Sequence, residues 1–520
     1  METGQTAHAI ALRGLTKTFG SVVANEDIHL WVDPGEILSL LGENGSGKTT
    51  LMNMLSGIYR PDSGEIYVRG ERCDIRSPKD AIDLGIGMIH QHFKLVDVLS
   101  VAENIVLGTK PEKGKDRRAI AEEIARISAA YGLSIDPDRK VYELSVGEKQ
   151  TVEILKVLYR GARVLILDEP TAVLTPQEIE RLFSILRRMR ENGGAVILIT
   201  HKLNEVMEVS DRITILRKGR AVDTVLCAHT SIDELTERMV GHAIDLSIAR
   251  PETVRHEELL DVHRLSVTDA EGVAKLRSVS FMLSGGEILG VAGVAGSGQK
   301  ELCEAVAGLQ PIQAGAIFLH DKLITGKTPR EITALGVSMS FIPEDRLGMG
   351  LVPGMSIVDN LLLKDYHHQK GPIARRGGAK RLAHALVERL RIVTPSVYTP
   401  VRRLSGGNVQ KVLLGREIES APQVLITAYP VRGLDINASY TIYDLLNEQK
   451  KRGVGILFIG EDLDVLLELC DRILVLCGGR VTGIVDARTA TKADLGRLMM
   501  GAQAQSVQAE TTTPREGETA

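Results

Sequence analysis

A chain of 520 residues, 43% apolar and 25% charged, is longer than a single hydrophobic core usually supports and predicts more than one domain. Its net charge of −4 gives no general pull towards nucleic acid or an anionic membrane surface. The five cysteines (Cys73, Cys227, Cys303, Cys470, Cys477) form no C-x-x-C pair, which speaks against a zinc or disulfide framework and for reduced thiols in the cytosol.

Residues 1–8 are polar and expected to be loose, with no signal-peptide pattern. Residues 10–36 show short β-like runs that end at Pro34-Gly35. A buried strand over 37–41 leads into Gly42-Glu43-Asn44-Gly45-Ser46-Gly47-Lys48-Thr49, and a helix follows over 50–55. A turn at Pro61-Asp62-Ser63-Gly64 precedes a strand over 65–68, and 86–89 is a further short apolar run. Residues 92–160 turn helical, most clearly over 117–131, and read as an insert. Strands over 164–167, 195–199 and 213–216 and a helix over 176–191 complete the unit. Alternating strands and helices predict a largely parallel α/β core. No apolar run reaches the ~18 residues of a spanning helix, so a membrane role is expected to be peripheral.

The unit then repeats. Pro34-Gly35-Glu36-Ile37 recurs as Gly285-Gly286-Glu287-Ile288. Leu144-Ser145-Val146-Gly147 recurs as Leu404-Ser405-Gly406-Gly407, Asp211-Arg212-Ile213 as Asp471-Arg472-Ile473, and Met239-Val240-Gly241 as Met499-Met500-Gly501; these three pairs share one offset of 260 residues. A fixed register over that distance predicts tandem homologous domains, 9–241 and 257–501, with a polar linker at 242–256 and a disordered tail at 502–520.

The stretch Gly42–Thr49 fits G-x-x-x-x-G-K-[ST] between a strand and a helix, the context a phosphate-binding loop needs. Its glycines let backbone N–H groups turn towards phosphate oxygens, and the helix N-terminus adds positive potential. Lys48 is expected to reach the β- and γ-phosphates and Thr49 to ligate Mg²⁺, while Glu43, Asn44, Gly45, Ser46, Gly47 and Thr50 line the nucleotide. Asp168 ends an apolar strand and Glu169 follows it; such a pair can hold a metal and polarise water. His201 closes the next strand, within the reach expected for a γ-phosphate contact.

Leu144-Ser145-Val146-Gly147-Glu148-Lys149-Gln150 and Leu404-Ser405-Gly406-Gly407-Asn408-Val409-Gln410 each set a serine and glycine at a helix start, a second anion site. Together with the phosphate loop and the Asp-Glu strand end, they make the chain resemble the ATP-binding cassette (ABC) ATPases over both units. The resemblance implies two tandem α/β domains of that type, each with a mainly parallel core sheet, an antiparallel β region and a helical insert. It implies ATP and Mg²⁺ sandwiched head to tail, the phosphate loop of one cassette facing the signature serine of the other. It assigns adenine stacking to Phe19, Mg²⁺ sensing and permease contact to Gln91, metal binding to Asp168, water activation to Glu169 and a switch role to His201.

The second unit departs from this pattern. Gln299 replaces the loop lysine and Lys300 the Mg²⁺ hydroxyl; Ala428 and Tyr429 replace the two acids; Glu461 replaces His201 and Glu344 replaces Gln91. No Phe, Trp or Tyr lies between Leu259 and Leu276 to stack on adenine. The signatures run the other way: the second unit keeps Ser405, Gly406, Gly407 and Asp435, where the first has Val146 and Thr175. Head-to-tail pairing therefore gathers every intact part in one site and every departure in the other. Fused cassettes with Gly-Ser-Gly-Gln in the second loop and Pro343-Glu344-Asp345-Arg346 beyond it look like the ATPase subunits of bacterial monosaccharide and nucleoside importers. The run Gly85–Phe93 is closer to the nucleoside branch, and the sugar branch more often has an acid where His92 stands. Expected partners are two transmembrane permease subunits and an extracytoplasmic solute-binding protein, with the chain at the cytoplasmic face of the membrane and no nucleic acid bound. The remote alternative is a soluble ABC ATPase acting on ribosomes or nucleic acid; such proteins usually keep two working sites and a long charged linker, whereas here one site is decayed and the linker is short. His90 and His92, flanking Gln91, read as a permease-facing loop rather than a metal site, and His367-His368 as a solvated loop.

Overall fold

The computed structural model describes residues 7–20, 22–90, 93–109, 117–171, 174–241, 247–252, 257–269, 271–341, 350–366, 369, 374–419, 421–432, 434 and 436–502. The chain divides into two compact units, Met1–Leu246 and Ser247–Ala520.

In the first unit the apolar runs Ile37–Leu41, Val164–Asp168 and Ala195–Ile199 are buried along their whole length, as strands are when both sheet faces are covered. They lie in a six-stranded sheet ordered Arg220–Leu226, Arg212–Arg217, Ile37–Leu41, Ala195–Ile199, Val164–Asp168, Ile86–Ile89. Five strands are parallel, and Arg220–Leu226 runs antiparallel to its neighbour. Alternate side chains serve two cores. Leu38 and Leu40 pack with Met52 and Leu55 of the helix Lys48–Leu55. Ile37 and Leu167 face Val152 and Phe183, on the helices Val146–Tyr159 and Pro176–Glu191. The 92–160 region contributes the helices Val101–Val106, Arg117–Tyr131 and Val146–Tyr159, as the helical insert requires.

A second, antiparallel sheet runs Val22–Val32, Ile10–Phe19, Ser63–Val68, Glu71–Cys73. The short runs expected within 10–36 are therefore two long strands. Their hydrophobic alternation is broken by register shifts between Leu12 and Leu15, Leu15 and Lys17, and Lys17 and Thr18, each of which moves side chains to the other face. The second unit repeats both sheets in the same order: Ala274–Ser284, Glu258–Thr268, Ala314–Leu319, Lys322–Leu323, and Arg480–Asp486, Arg472–Cys477, Ile288–Gly293, Gly455–Ile459, Val424–Ala428, Val337–Phe341.

Part of the expected linker packs on the second unit. Ile248 lies against its core, Asn447 Nδ2 donates to Ala249 O at 3.1 Å, and Arg250 Nη1 donates to Cys470 O at 2.5 Å and Leu467 O at 3.3 Å. Those carbonyls end the helix Leu463–Leu469, so Arg250 satisfies acceptors that the helix cannot. The tail beyond Ala502 lies outside the described residues.

Candidate functional site

Ile37–Leu41, Ala195–Ile199 and Val164–Asp168 are adjacent and parallel, so Gly42, His201 and Glu169 emerge on one edge. In open α/β sheets, ligands bind outside such carboxyl ends.

The phosphate loop is shaped by close approach. Gly47 has φ 100°, and a Cβ there would lie 2.3 Å from Ala24 O. A Cβ at Gly42 would lie 2.3 Å from Leu216 O and 2.5 Å from Ser46 Oγ. Buried Asn25 donates to Gly47 O at 3.2 Å and pins the loop to the antiparallel sheet. Lys48 folds back into the loop, its Nζ donating to Gly42 O at 2.6 Å and Glu43 O at 2.9 Å. Burial pushes its ammonium pKa down, against the opposing charges of Glu169, Asp168 and Glu43. Ser46 Oγ is buried without a hydrogen-bond partner among the described residues; a phosphate oxygen would supply one. Asn44 and Gly45 are exposed along the loop, and Thr50 is half-buried behind it.

Thr49, exposed at the start of the helix Lys48–Leu55, is near enough to the Asp168 carboxylate to pull its pKa down. Burial, and then the neighbouring Glu169, pushes the Asp168 pKa up to about 6, opposed by Thr49 and Lys48. A hydroxyl and a carboxylate brought near each other are hard oxygen donors suited to Mg²⁺. Glu169 has the left-handed φ of 47°, and its N–H donates to Ile199 O at 2.9 Å. Its Oε1 lies 2.9 Å from His201 Nδ1. Burial alone would raise the Glu169 pKa; the hydrogen bond and charge of His201, with Lys48 and Lys202, bring it below the ordinary value. The result is a carboxylate kept ionised and aimed. Phe19 ends the strand Ile10–Phe19 and is 44% exposed.

The structure thus gathers Lys48, Thr49, Asp168, Glu169 and His201 into one cluster. Gln91, His92, Glu344, Gly433 and Asp435 lie outside the described residues. In the second unit, Ser405 precedes the helix Gly406–Glu419 and is exposed, its Oγ accepting from Asn408 Nδ2 at 2.8 Å. Its counterpart Ser145 caps the helix Val146–Tyr159 in a reciprocal box with Glu148. Thr175, which stands where the second unit has Asp435, caps the helix Pro176–Glu191 in another such box with Glu178. Thr175→Ala is expected to lower the stability of the first unit by about 1 kcal/mol, with Thr175→Asp restoring it, as read by denaturant unfolding.

The second unit replaces the cluster piece by piece on an unchanged frame. Gln299 Nε2 donates to Val294 O at 3.2 Å, the carbonyl matching Glu43. Lys300 is exposed and stands 3.8 Å from Glu304. Tyr429 has φ 52° and its N–H donates to Ile459 O at 2.8 Å, reproducing the backbone of Glu169. Burial, and next Glu461, pushes its hydroxyl up to about 12. Arg432 lies 5.9 Å from the Tyr429 ring centroid and 3.5 Å from Glu461. An arginine–glutamate pair and a neutral phenol thus replace the glutamate–histidine pair, a substitution in packing that the sequence motifs alone did not indicate.

The ABC transporter family pattern matches residues 25–172 and 276–430. A nucleoside import ATP-binding protein of Lactococcus lactis is 43% identical over 499 residues, covering 95% of this chain and 98% of the relative. A guanosine import ATP-binding protein of Bacillus subtilis is 44% identical with the same coverage. A ribose import ATP-binding protein of Rubrobacter xylanophilus is 42% identical over 93% of this chain and 96% of its own length. Two family matches in tandem, on two units of one topology, leave a single conclusion: the chain belongs to the ABC transporter family, as two ATP-binding cassettes fused in one polypeptide.

Proposed function

We propose that this chain is the ATP-hydrolysing, energy-coupling subunit of a nucleoside importer, with one hydrolytic site and one degenerate site. The observation that carries the asymmetry is a single left-handed backbone position, φ 47° at Glu169 and 52° at Tyr429, which presents a carboxylate bonded to His201 in one unit and a phenol in the other. The cargo follows the nucleoside and guanosine relatives. A monosaccharide cargo is the second reading, favoured by the ribose relative. Two transmembrane permease subunits and an extracytoplasmic binding protein complete the transporter. Among the described residues no helix is long and apolar enough to cross a membrane. A place at the cytoplasmic face, held through the permease, follows the import ATP-binding relatives.

In this reading the loop N–H groups and Lys48 bind the β- and γ-phosphates, and Phe19 takes the base. Thr49, Asp168 and Gln91 would hold Mg²⁺, which when bound neutralises charge on the phosphate oxygens. Glu169 orients the attacking water and accepts its proton, while His201 keeps the carboxylate ionised and directed. Closure and reopening around the nucleotide transmit the cycle to the permease.

Ser405, Gly406, Gly407 and Asp435 are proposed to complete the site of Lys48, as the sorting of intact and replaced residues suggests. Ser145 would then face Gln299, where no chemistry occurs. Steady-state ATP hydrolysis, with the permease present, tests this. Ser405→Arg is expected to remove most of the turnover, whereas Ser145→Arg retains a substantial share. The reverse ranking would mean that each cassette uses its own signature. Uptake of labelled guanosine and ribose by cells with and without the chain decides the cargo; ribose uptake alone selects the second reading.

A further inference from the structure

Phe19 does not stand alone at its strand end. Its ring centroid lies 5.2 Å from that of Tyr59, with the planes at 71°, and Lys17 Nζ sits 5.6 Å from the Phe19 centroid. Tyr59 is 37% exposed, so the two rings offer aromatic surface to a ligand. Both are fixed from beneath. Asp62 accepts hydrogen bonds from Lys17 Nζ at 2.8 Å, Thr18 N at 2.7 Å and Thr18 Oγ1 at 2.8 Å, clamping the residues just before Phe19. The Tyr59 N–H donates to Asn53 O at 3.0 Å, on the helix that begins at the phosphate loop. Base platform and phosphate loop therefore share one frame.

The second unit keeps this frame and loses both rings. Leu309 N and Gln310 N donate to Glu304 O as Ile58 N and Tyr59 N do to Asn53 O, so Gln310 stands where Tyr59 does. Gln313 N donates to Ser266 O as Asp62 N does to Thr16 O, and Asp269 follows Thr268 as Phe19 follows Thr18. Gln310 Nε2 donates to Thr268 O at 3.0 Å, and Asp269 Oδ1 accepts from Glu271 N and Val273 N. Each replacement satisfies its own loop and leaves no aromatic face. The two rings go together, as members of one device would.

We propose that Tyr59 is a positioning residue for the nucleotide base: its ring, packed at 71° to Phe19, sets the face on which a purine stacks and gives the first unit a base requirement that the second lacks. The proposal rests on the reading of Phe19 as the base platform. A ring already held in its bound orientation loses less freedom when the base arrives. An edge-to-face aromatic pair corresponds to about two- to twelvefold in an equilibrium constant.

The test compares dissociation constants of the full chain for ATP and for inorganic tripolyphosphate, which has the phosphates and no base. Tyr59→Ala is expected to weaken ATP about fivefold and to raise KM with kcat unchanged, while tripolyphosphate binding stays put. Tyr59→Phe restores ATP binding, because the contact is made by the ring. Phe19→Ala is expected to weaken ATP about tenfold or more, again sparing tripolyphosphate. If Phe19→Ala leaves ATP affinity unchanged, the platform reading itself fails. If Phe19→Ala weakens ATP but Tyr59→Ala does not, or if Tyr59→Ala weakens tripolyphosphate equally, Tyr59 is a structural residue and the inference is overturned.

Discussion

Lys48→Ala is expected to lower ATP turnover at least ~10²-fold, since loss of one contact to developing transition-state charge typically costs ~2.7–4 kcal/mol. The ammonium is held inside the loop by Gly42 O and Glu43 O, so it meets the phosphates already oriented and partly desolvated. Its charge also offsets that of Asp168 and Glu169, both of which feel it. Removing it takes one donor from each of two loop carbonyls and a neighbouring positive charge from each of two carboxylates. Gln299 is the natural control. It is buried in the matching loop and donates to the matching carbonyl, but it carries no charge to meet a phosphate. Gln299→Ala should therefore cost a small fraction of what Lys48→Ala costs. Steady-state hydrolysis of both variants, alongside thermal unfolding to confirm that each folds, makes the comparison. Equal losses would mean that both loops hydrolyse ATP and that the one-site reading is wrong.

Much of this architecture is legible in the sequence because its core strands are unbroken apolar runs. Ile37–Leu41 and Ala195–Ile199 are buried end to end, and an apolar run that enters a glycine-rich turn before a helix marks a buried strand. The edge strands Glu71–Cys73 and Arg220–Leu226 are not legible for the opposite reason: their residues are half-buried or exposed, and such a pattern does not differ from a loop. The role of Arg250 is hidden because its partners are carbonyls more than two hundred residues away. Thr175 carries a readable signal that points away from its apparent loss. Thr175-Pro176-Gln177-Glu178 fits a capping box, whereas alignment with Asp435 shows only what the position lacks. The loop replacement is legible as chemistry and not as geometry. That Gln299 takes the hydrogen bond of Lys48 depends on a fold that keeps the loop shape after its charge is gone.

The second large effect is expected at Glu169. Its side chain is directed by a left-handed backbone and by the bond from its N–H to Ile199 O. Tyr429 adopts the same conformation with Ile459, so the strained geometry belongs to the fold and survives a change of side chain. Glu169→Gln should therefore keep the shape of the site, and the amide oxygen can still accept from His201 Nδ1. What it loses is the capacity to take a proton from water. General-base catalysis typically contributes about 10²–10⁴-fold, and kcat should fall by that amount while ATP binding persists. Because binding survives and hydrolysis does not, the variant should accumulate ATP rather than ADP, as separation of the bound nucleotide after filtration would show. The converse substitution tests whether a carboxylate at this position suffices. Tyr429→Glu would restore the acid on the right backbone, but Ala428 supplies no metal ligand, Gln299 no cation, and Glu461 faces it with like charge where His201 stands in the first unit. It should add no turnover. Wild-type hydrolysis by Glu169→Gln would remove the general base from the mechanism, and doubled turnover in Tyr429→Glu would show that one acid was all the second unit lacked.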